Sequence, residues 1–261
     1  PSKKLARAKH WPAVLEYAES IRDGPKIASP ELQQAVARFF WDLENPAYDL
    51  DPKDPEFCLG IIEATLCHQQ GERLDGTPLR GQPFLLEPFH QFIVYNLVGF
   101  KLAGTDVLRF HEAPIFIPRK NIKTSFAASL AWALSLLFRR SGSKLYIASA
   151  ALMQSMESFN FLAYNIRRMG EDSKSGGSVR IIDNHNEHSL SADFGDGSFY
   201  IRALAANPDA QDSLNCNVAI CDEIHAFRQP KQYNLFKEAM TAYTNKLLID
   251  INRKIERSLI T

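Results

Sequence analysis

The chain has 261 residues, 45% of them hydrophobic, and its 30 basic and 30 acidic side chains balance to a formal net charge of zero. A chain of this length buries roughly 70–75% of its unfolded surface, enough for one large core or a core with a helical appendage. Neutrality excludes a global field for nucleic acid, so any such contact must come from a local patch.

No run approaches the ~18 apolar residues of a membrane helix, and the basic start lacks the apolar segment of a signal peptide. A cytosolic protein without membrane contact is therefore expected. Cys58, Cys67, Cys216 and Cys221 show no C-x-x-C spacing and read as free buried thiols in a reducing compartment. A start at Pro1 and a stop soon after a strand-like segment lead us to expect a fragment or a processed chain.

Residues 1–10 read as a basic, solvated tail. Trp11, Val14, Leu15, Ala18 and Ile21 form a helical stripe. Ser29-Pro30-Glu31 is an N-cap with proline in the first turn, opening a second helix through Leu32, Val36, Phe39, Phe40 and Leu43. Asp54-Pro55 repeats the signal before Phe57, Ile61, Ile62 and Leu66, so residues 1–75 are expected to be a helical N-terminal region. Residues 81–100 predict an aromatic-rich helix leading into the next strand. On it Gln91 is a candidate adenine reader, because an amide both donates to and accepts from a base edge, with Phe84 or Phe89 available to stack.

The stretch Ala113 to Phe138 predicts strand, loop and helix: Ile115, Phe116 and Ile117, then a polar turn, then Phe126, Leu130, Leu134 and Leu137 at helical spacing. The turn carries Arg119, Lys120, Asn121, Ile122 and Lys123, and the helix opens with Thr124 and Ser125. Cations ahead of a helix N-terminus, with hydroxyls just inside it, make an anion site. For a polyphosphate, Lys123 would reach the β- and γ-phosphates and the Thr124 hydroxyl would ligate Mg²⁺. The glycines of a phosphate-binding loop are missing, since Ile117 and Ile122 occupy their places. By pattern alone, a basic turn before a buried helix fits as well.

Lys144 to Ala148 predicts a strand, and Leu152, Met156, Phe159, Ala163 and Ile166 a helix. Val179 to Ile182 and Phe199 to Leu204 predict strands around a polar hairpin whose Asp183, His185, His188, Asp193 and Asp196 read as a wet tip in preference to a metal site. Arg202 is a candidate phosphate ligand, in its own site or in a neighbouring subunit's. Val218 to Cys221 is an apolar strand ending in Asp222 and Glu223, acids at the crevice where open α/β sheets bind ligands. There Asp222 would hold Mg²⁺ and Glu223 would orient or deprotonate the attacking water. A helix from Tyr233 to Tyr243 and a strand from Lys246 to Ile251 follow. Strands alternating with helices predict an α/β fold, a mostly parallel sheet flanked by helices.

The series LEPFHQ, IPRKNIKTS, VAICDEIHAF and LLIDI resembles the N-terminal ATPase domain of the large terminase subunit of tailed bacteriophages, over about residues 81–250. The resemblance implies a P-loop NTPase-like domain over 76–261 and an ATP-driven motor that moves double-stranded DNA into a procapsid. It implies a deviant Walker A loop at Arg119 to Ser125 with Arg119 acting in cis on the γ-phosphate. It also implies a Walker B strand with Asp222 on Mg²⁺ and Glu223 as catalytic carboxylate, and Gln91 on adenine. Implied partners are a small terminase subunit, a portal protein and a homo-oligomeric ring, usually a pentamer, assembled at the portal in the host cytoplasm. The family's C-terminal endonuclease domain is expected to lie outside these residues.

Two departures stand out. Ile122 replaces the glycine before the lysine, and a β-branched residue resists the positive φ that glycine allows. The Thr/Gly coupling motif expected after LLI is missing, and Asp250 to Thr261 reads as a strand end running into a helix, as though a segment were left out of the numbering. Other readings are a DExH-type helicase on Asp222-Glu223-Ile224-His225, a non-hydrolysing DNA- or capsid-binding scaffold, and a nuclease on the His185/His188 hairpin.

Overall fold

The computed structural model describes residues 3–24, 27–73, 75–118, 121–205, 214–227 and 231–252, with His225 and Gln232 described by backbone alone. The chain divides into two compact units, Pro1–Glu63 with Leu85–Phe110, and Ala64–Phe84 with His111–Thr261.

The first unit is built on helices α1 (Trp11–Arg22), α2 (Pro30–Glu44), α3 (Lys53–Thr65) and α4 (Pro88–Gly99), with a short antiparallel pair, β1 (Tyr48–Leu50) and β2 (Phe100–Leu102). Helix α2 starts where the cap signal sits: the Leu32 N–H donates to Ser29 Oγ at 3.3 Å. The aromatic stripes converge on fully buried Phe39, whose ring lies 5.1 Å from Phe92, 5.8 Å from Phe100 and 6.1 Å from Trp11. His10, itself buried, sits between Glu56 Oε2 at 2.9 Å and Glu63 Oε1 at 3.0 Å, and Tyr95 donates its hydroxyl to Glu56 Oε1. The predicted 81–100 helix begins only at Pro88, where proline occupies the first turn; Glu87 is still extended.

The second unit is a seven-stranded mixed sheet in the order β3-β9-β8-β4-β7-β6-β5. Strands β3 (Glu112–Phe116), β9 (Leu247–Asn252), β8 (Val218–Asp222), β4 (Ser143–Ser149) and β7 (Ser198–Ala205) are parallel. Strands β6 (His188–Asp193) and β5 (Arg180–Asp183) complete one side in antiparallel fashion. Central β8 is buried at every position, and so reads as a continuous apolar run. The fold is α/β with a mostly parallel sheet flanked by helices, as the alternation predicts.

Helices α5 (Lys123–Leu137), α6 (Leu152–Arg168) and α7 (Lys231–Ala239) cover the sheet. Helix α5 is buried on all sides from Phe126 to Ser135, and its two buried hydroxyls, Ser129 and Ser135, donate back to the carbonyls of Phe126 and Trp132. Helix α7 contributes Phe236 to a cluster with Tyr146, Cys216 and Cys221. All four cysteines are free and buried, and burial pushes the Cys216 thiol up to about 12. No helix among the described residues is long and apolar enough to cross a membrane.

The stretch expected to be one polar hairpin contains a further strand, β6, paired to both β5 and β7. Ser189, Leu190 and Ala192 are its buried residues, and Ser189 is satisfied there by donating to Glu187 Oε1 at 2.6 Å. A strand whose buried positions are serine, leucine and alanine, two of them adjacent, carries too little apolar alternation to stand out by period.

Candidate active site

The parallel strands β3 and β8 both end at the same edge of the sheet, separated there by β9. The chain leaves β3 through the turn into α5, and Ile122 caps that helix with its carbonyl accepting from the Phe126 N–H at 2.8 Å. Ile122 is left-handed, at φ 48° and ψ 28°, so it adopts the conformation expected of the missing glycine. At the end of β8, Glu223 is left-handed too, φ 60° and ψ 59°, and its N–H donates to Ile251 O at 2.9 Å. A left-handed L-residue costs roughly 1–2 kcal/mol.

These two turns bring the cation and the acids together. The Lys123 ammonium donates to Asp222 Oδ1 at 2.5 Å and to Glu223 Oε1 at 2.7 Å. The three side chains are 13%, 12% and 7% exposed, so two carboxylates largely out of bulk water share the single positive charge of one lysine.

A cavity of about 630 Å³ opens at this point, within the size range of small-molecule sites. One wall is Ile122 to Ser125 with Asp222; another is Gln154, Glu157 and Asn160 on α6; a third is His68 to Gln70. The third wall is the chain around His68, which pairs with the chain around Gly81: the His68 N–H donates to Gln82 O at 2.9 Å and the Gly81 N–H to His68 O at 2.8 Å. That segment is fixed to α6 by buried Asn165, which accepts from the Cys67 N–H at 2.7 Å and donates to Cys67 O at 3.1 Å. Burial, reinforced by the Arg73 charge, pushes the His68 imidazole below its usual value, so it is neutral at pH 7.

Of the residues singled out from the sequence, Lys123, Asp222 and Glu223 meet directly, and Ile122, Thr124 and Ser125 line the same cavity. Asn121 donates its amide to Pro118 O at 3.3 Å. Arg119 and Lys120 lie outside the described residues. Gln91 belongs to the first unit, 9% exposed, where its Nε2 donates to Leu86 O at 2.8 Å. Arg202 lies on β7, donating to Asn186 O at 3.3 Å. His188 Nδ1 lies 2.8 Å from Asp183 Oδ1, and no group of three or more metal-ligating His, Cys, Asp or Glu occurs among the described residues.

The cavity residues that sequence reading missed are His68 to Gln70 and, on α6, Gln154, Glu157, Asn160 and Phe161. The first three sit in irregular chain with no period, and the four on α6 belong to an ordinary helix pattern, so neither group carries a local signal.

The donor chemistry fits Mg²⁺. The Thr124 hydroxyl and the Asp222 carboxylate are hard oxygens on one cavity, and Mg²⁺ is bound by one or two carboxylates plus phosphate more often than by an all-protein cage. Lys123 places between the two acids one of the two positive charges that a divalent ion would bring.

A family model described as the terminase large subunit, ATPase domain, matches residues 88–260. Among solved structures, the large terminase of bacteriophage HK97 superposes with a TM-score of 0.57 at 21% identity, covering 76% of this chain and 37% of that one. The large terminase of a thermophilic bacteriophage, in complex with ADP, gives 0.41 at 15% identity, covering 54% of this chain and 33% of that one. The ATPase domain of the Thermus phage P74-26 large terminase gives 0.40 at 14% identity, covering 61% and 68%. Among curated protein sequences none matches. The chain thus spans little more than a third of the HK97 protein, whose likeness shows the shared fold. With the family model covering about two-thirds of its residues, the chain belongs to the terminase large subunit ATPase domain family.

Proposed function

We propose that this chain binds and hydrolyses ATP as the motor domain of a phage DNA-packaging terminase. The observation that carries this reading is the bridge from Lys123 to both Asp222 and Glu223 at the mouth of a nucleotide-sized cavity. An ammonium held by two carboxylates is a cation in reserve. When a triphosphate enters, Lys123 swings from the acids to the β- and γ-phosphates, where its charge offsets what develops in the transition state. Thr124 and Asp222 would hold Mg²⁺, which would supply charge neutralisation on the phosphate oxygens. Glu223, released from the lysine, accepts a proton from the attacking water. The residues from Asn121 to Ser125 surround the phosphates, and Arg119 and Lys120, next along the loop, add positive charge, Arg119 in cis on the γ-phosphate.

In the assembled machine we place double-stranded DNA as the track, a small terminase subunit and a portal protein as partners, and a ring of copies, a pentamer, at the portal in the host cytoplasm. Arg202 is the candidate for a contribution in trans, and Gln91 for a contact with adenine. An ATPase assay with Mg²⁺ tests the core of this reading. Release of phosphate that Lys123→Ala and Glu223→Gln each abolish supports it, and turnover at the wild-type rate in either variant refutes it. Movement along blunt duplex, without strand separation at a fork, distinguishes a packaging motor from a DExH-type helicase. A chain that binds no ATP by calorimetry is instead a scaffold.

A further inference from the structure

The turn from β4 into α6 buries two polar atoms that none of the described residues satisfies. Ser149, at the end of β4, is fully buried, and its hydroxyl has no hydrogen-bond partner among the described residues. It is the register partner of Asp222 on β8, so the two side chains leave the sheet on the same face. Gln154, in the first turn of α6, lines the cavity that Lys123 and Asp222 also line, and its carbonyl Oε1 is buried with no partner among those residues either. Buried polar atoms are normally bonded, to protein or to ordered water. The carbonyl can only accept and the hydroxyl can do both, so what meets them must donate.

A water molecule at the acid edge meets those demands. A base or ribose fits less well, because the Ser149–Asp222 register puts this corner beside the residues that take the phosphates. We propose that Ser149 and Gln154 hold the water that attacks the γ-phosphorus, an inference that rests on the ATP-hydrolysing reading above. Gln154 Oε1 and Ser149 Oγ fix that water's orientation while its proton faces Glu223. Its oxygen lone pair forms the new bond to phosphorus as the bond from phosphorus to the β,γ-bridging oxygen breaks. The bond's electrons leave on ADP, the water's proton passes to Glu223, and inorganic phosphate is the second product. Orienting the attacking water by a side-chain amide is an established device in nucleotide hydrolysis.

The test compares wild type with Gln154→Ala and Ser149→Ala, the latter a minimal change that keeps the assay usable should the first fail to fold. Each variant is assayed for kcat and KM, and for binding of two Mg²⁺ complexes of ADP. Beryllium fluoride mimics the bound γ-phosphate, and aluminium fluoride mimics the planar transition state with its in-line water. The expected result for Gln154→Ala is a kcat about 100-fold lower with KM and beryllium fluoride affinity unchanged, and aluminium fluoride affinity reduced in parallel. Retained kcat, or equal loss of both complexes, overturns the proposal while leaving the ATPase reading intact. A wild-type chain that turns over no ATP and binds neither complex refutes both.

Discussion

Ile122 and Glu223 share a backbone state found at no other non-glycine residue among those described: both have positive φ, and each adjoins a member of the Lys123–Asp222 ion pair. The two strained turns and the charged contact form one construction, in which left-handed geometry turns the chain so that the cation and the acids face each other.

Ile122→Gly tests where that strain sits. Glycine removes a left-handed penalty of about 1–2 kcal/mol but adds about 0.5–1 kcal/mol of unfolded-state entropy, so stability should be unchanged or rise by up to about 1.5 kcal/mol. Denaturant unfolding of both proteins measures it. A loss of about 2 kcal/mol would show that the isoleucine side chain packs more than its backbone strains.

Lys123→Ala leaves two largely buried carboxylates without their counter-ion. Breaking a buried pair on one side costs on the order of 3 kcal/mol, which thermal melting of the nucleotide-free protein should register. Added Mg²⁺ should recover more stability in the variant than in wild type, since the acids are then free to bind it. A variant that melts with wild type would mean the lysine adds nothing to the resting fold.

The strand-loop-helix and the acidic strand were legible because each carries its own signal: a run of Ile115 to Ile117 before charged residues, and a run of Val218 to Cys221 before two acids. Their meeting in space was legible only as a wager on one chemistry. Strand β6 was not, because Ser189 and Ala192 give no apolar contrast. The start of α4 was misplaced, because Phe84 to Leu86 extends the apolar run while Pro88 sets the helix boundary. The wall from His68 to Gln70 depends on Asn165 capturing the Cys67 peptide across 98 residues of chain, a tertiary bond without any local trace.

Asn165→Leu should therefore be costly out of proportion to its size. It removes both bonds to Cys67 and leaves a buried N–H and a buried carbonyl unmet, about 3 kcal/mol together. If the proposed nucleotide site uses this wall, KM for ATP should rise more than kcat falls. Steady-state kinetics, with a melting curve as control, decides between a damaged wall and a damaged fold.

The first unit should be acid-sensitive through Glu56 and Glu63. Burial opposes their ionisation, but hydrogen bonds from Tyr95 and His10 to Glu56, and from Lys9 and His10 to Glu63, outweigh it and hold both carboxyls below the usual range. The folded state then binds fewer protons than the unfolded one. Their contribution is complete above the ordinary glutamate value, near ~4.3, and is lost as pH falls through the lower folded values. Denaturant midpoints between neutral pH and pH ~3 should show this loss in wild type and a shallower slope in Glu56→Gln, which starts from lower stability at pH 7. Identical slopes would remove the cluster from the acid response.

In the proposed mechanism Lys123 leaves its carboxylates for a phosphate. A crystal structure of this chain with Mg²⁺ and a non-hydrolysable ATP analogue measures that directly. We predict the Lys123 ammonium on the γ-phosphate, with Mg²⁺ between the phosphates and Asp222. A triphosphate bound elsewhere, with the 2.5 Å contact from Lys123 to Asp222 still in place, would contradict it.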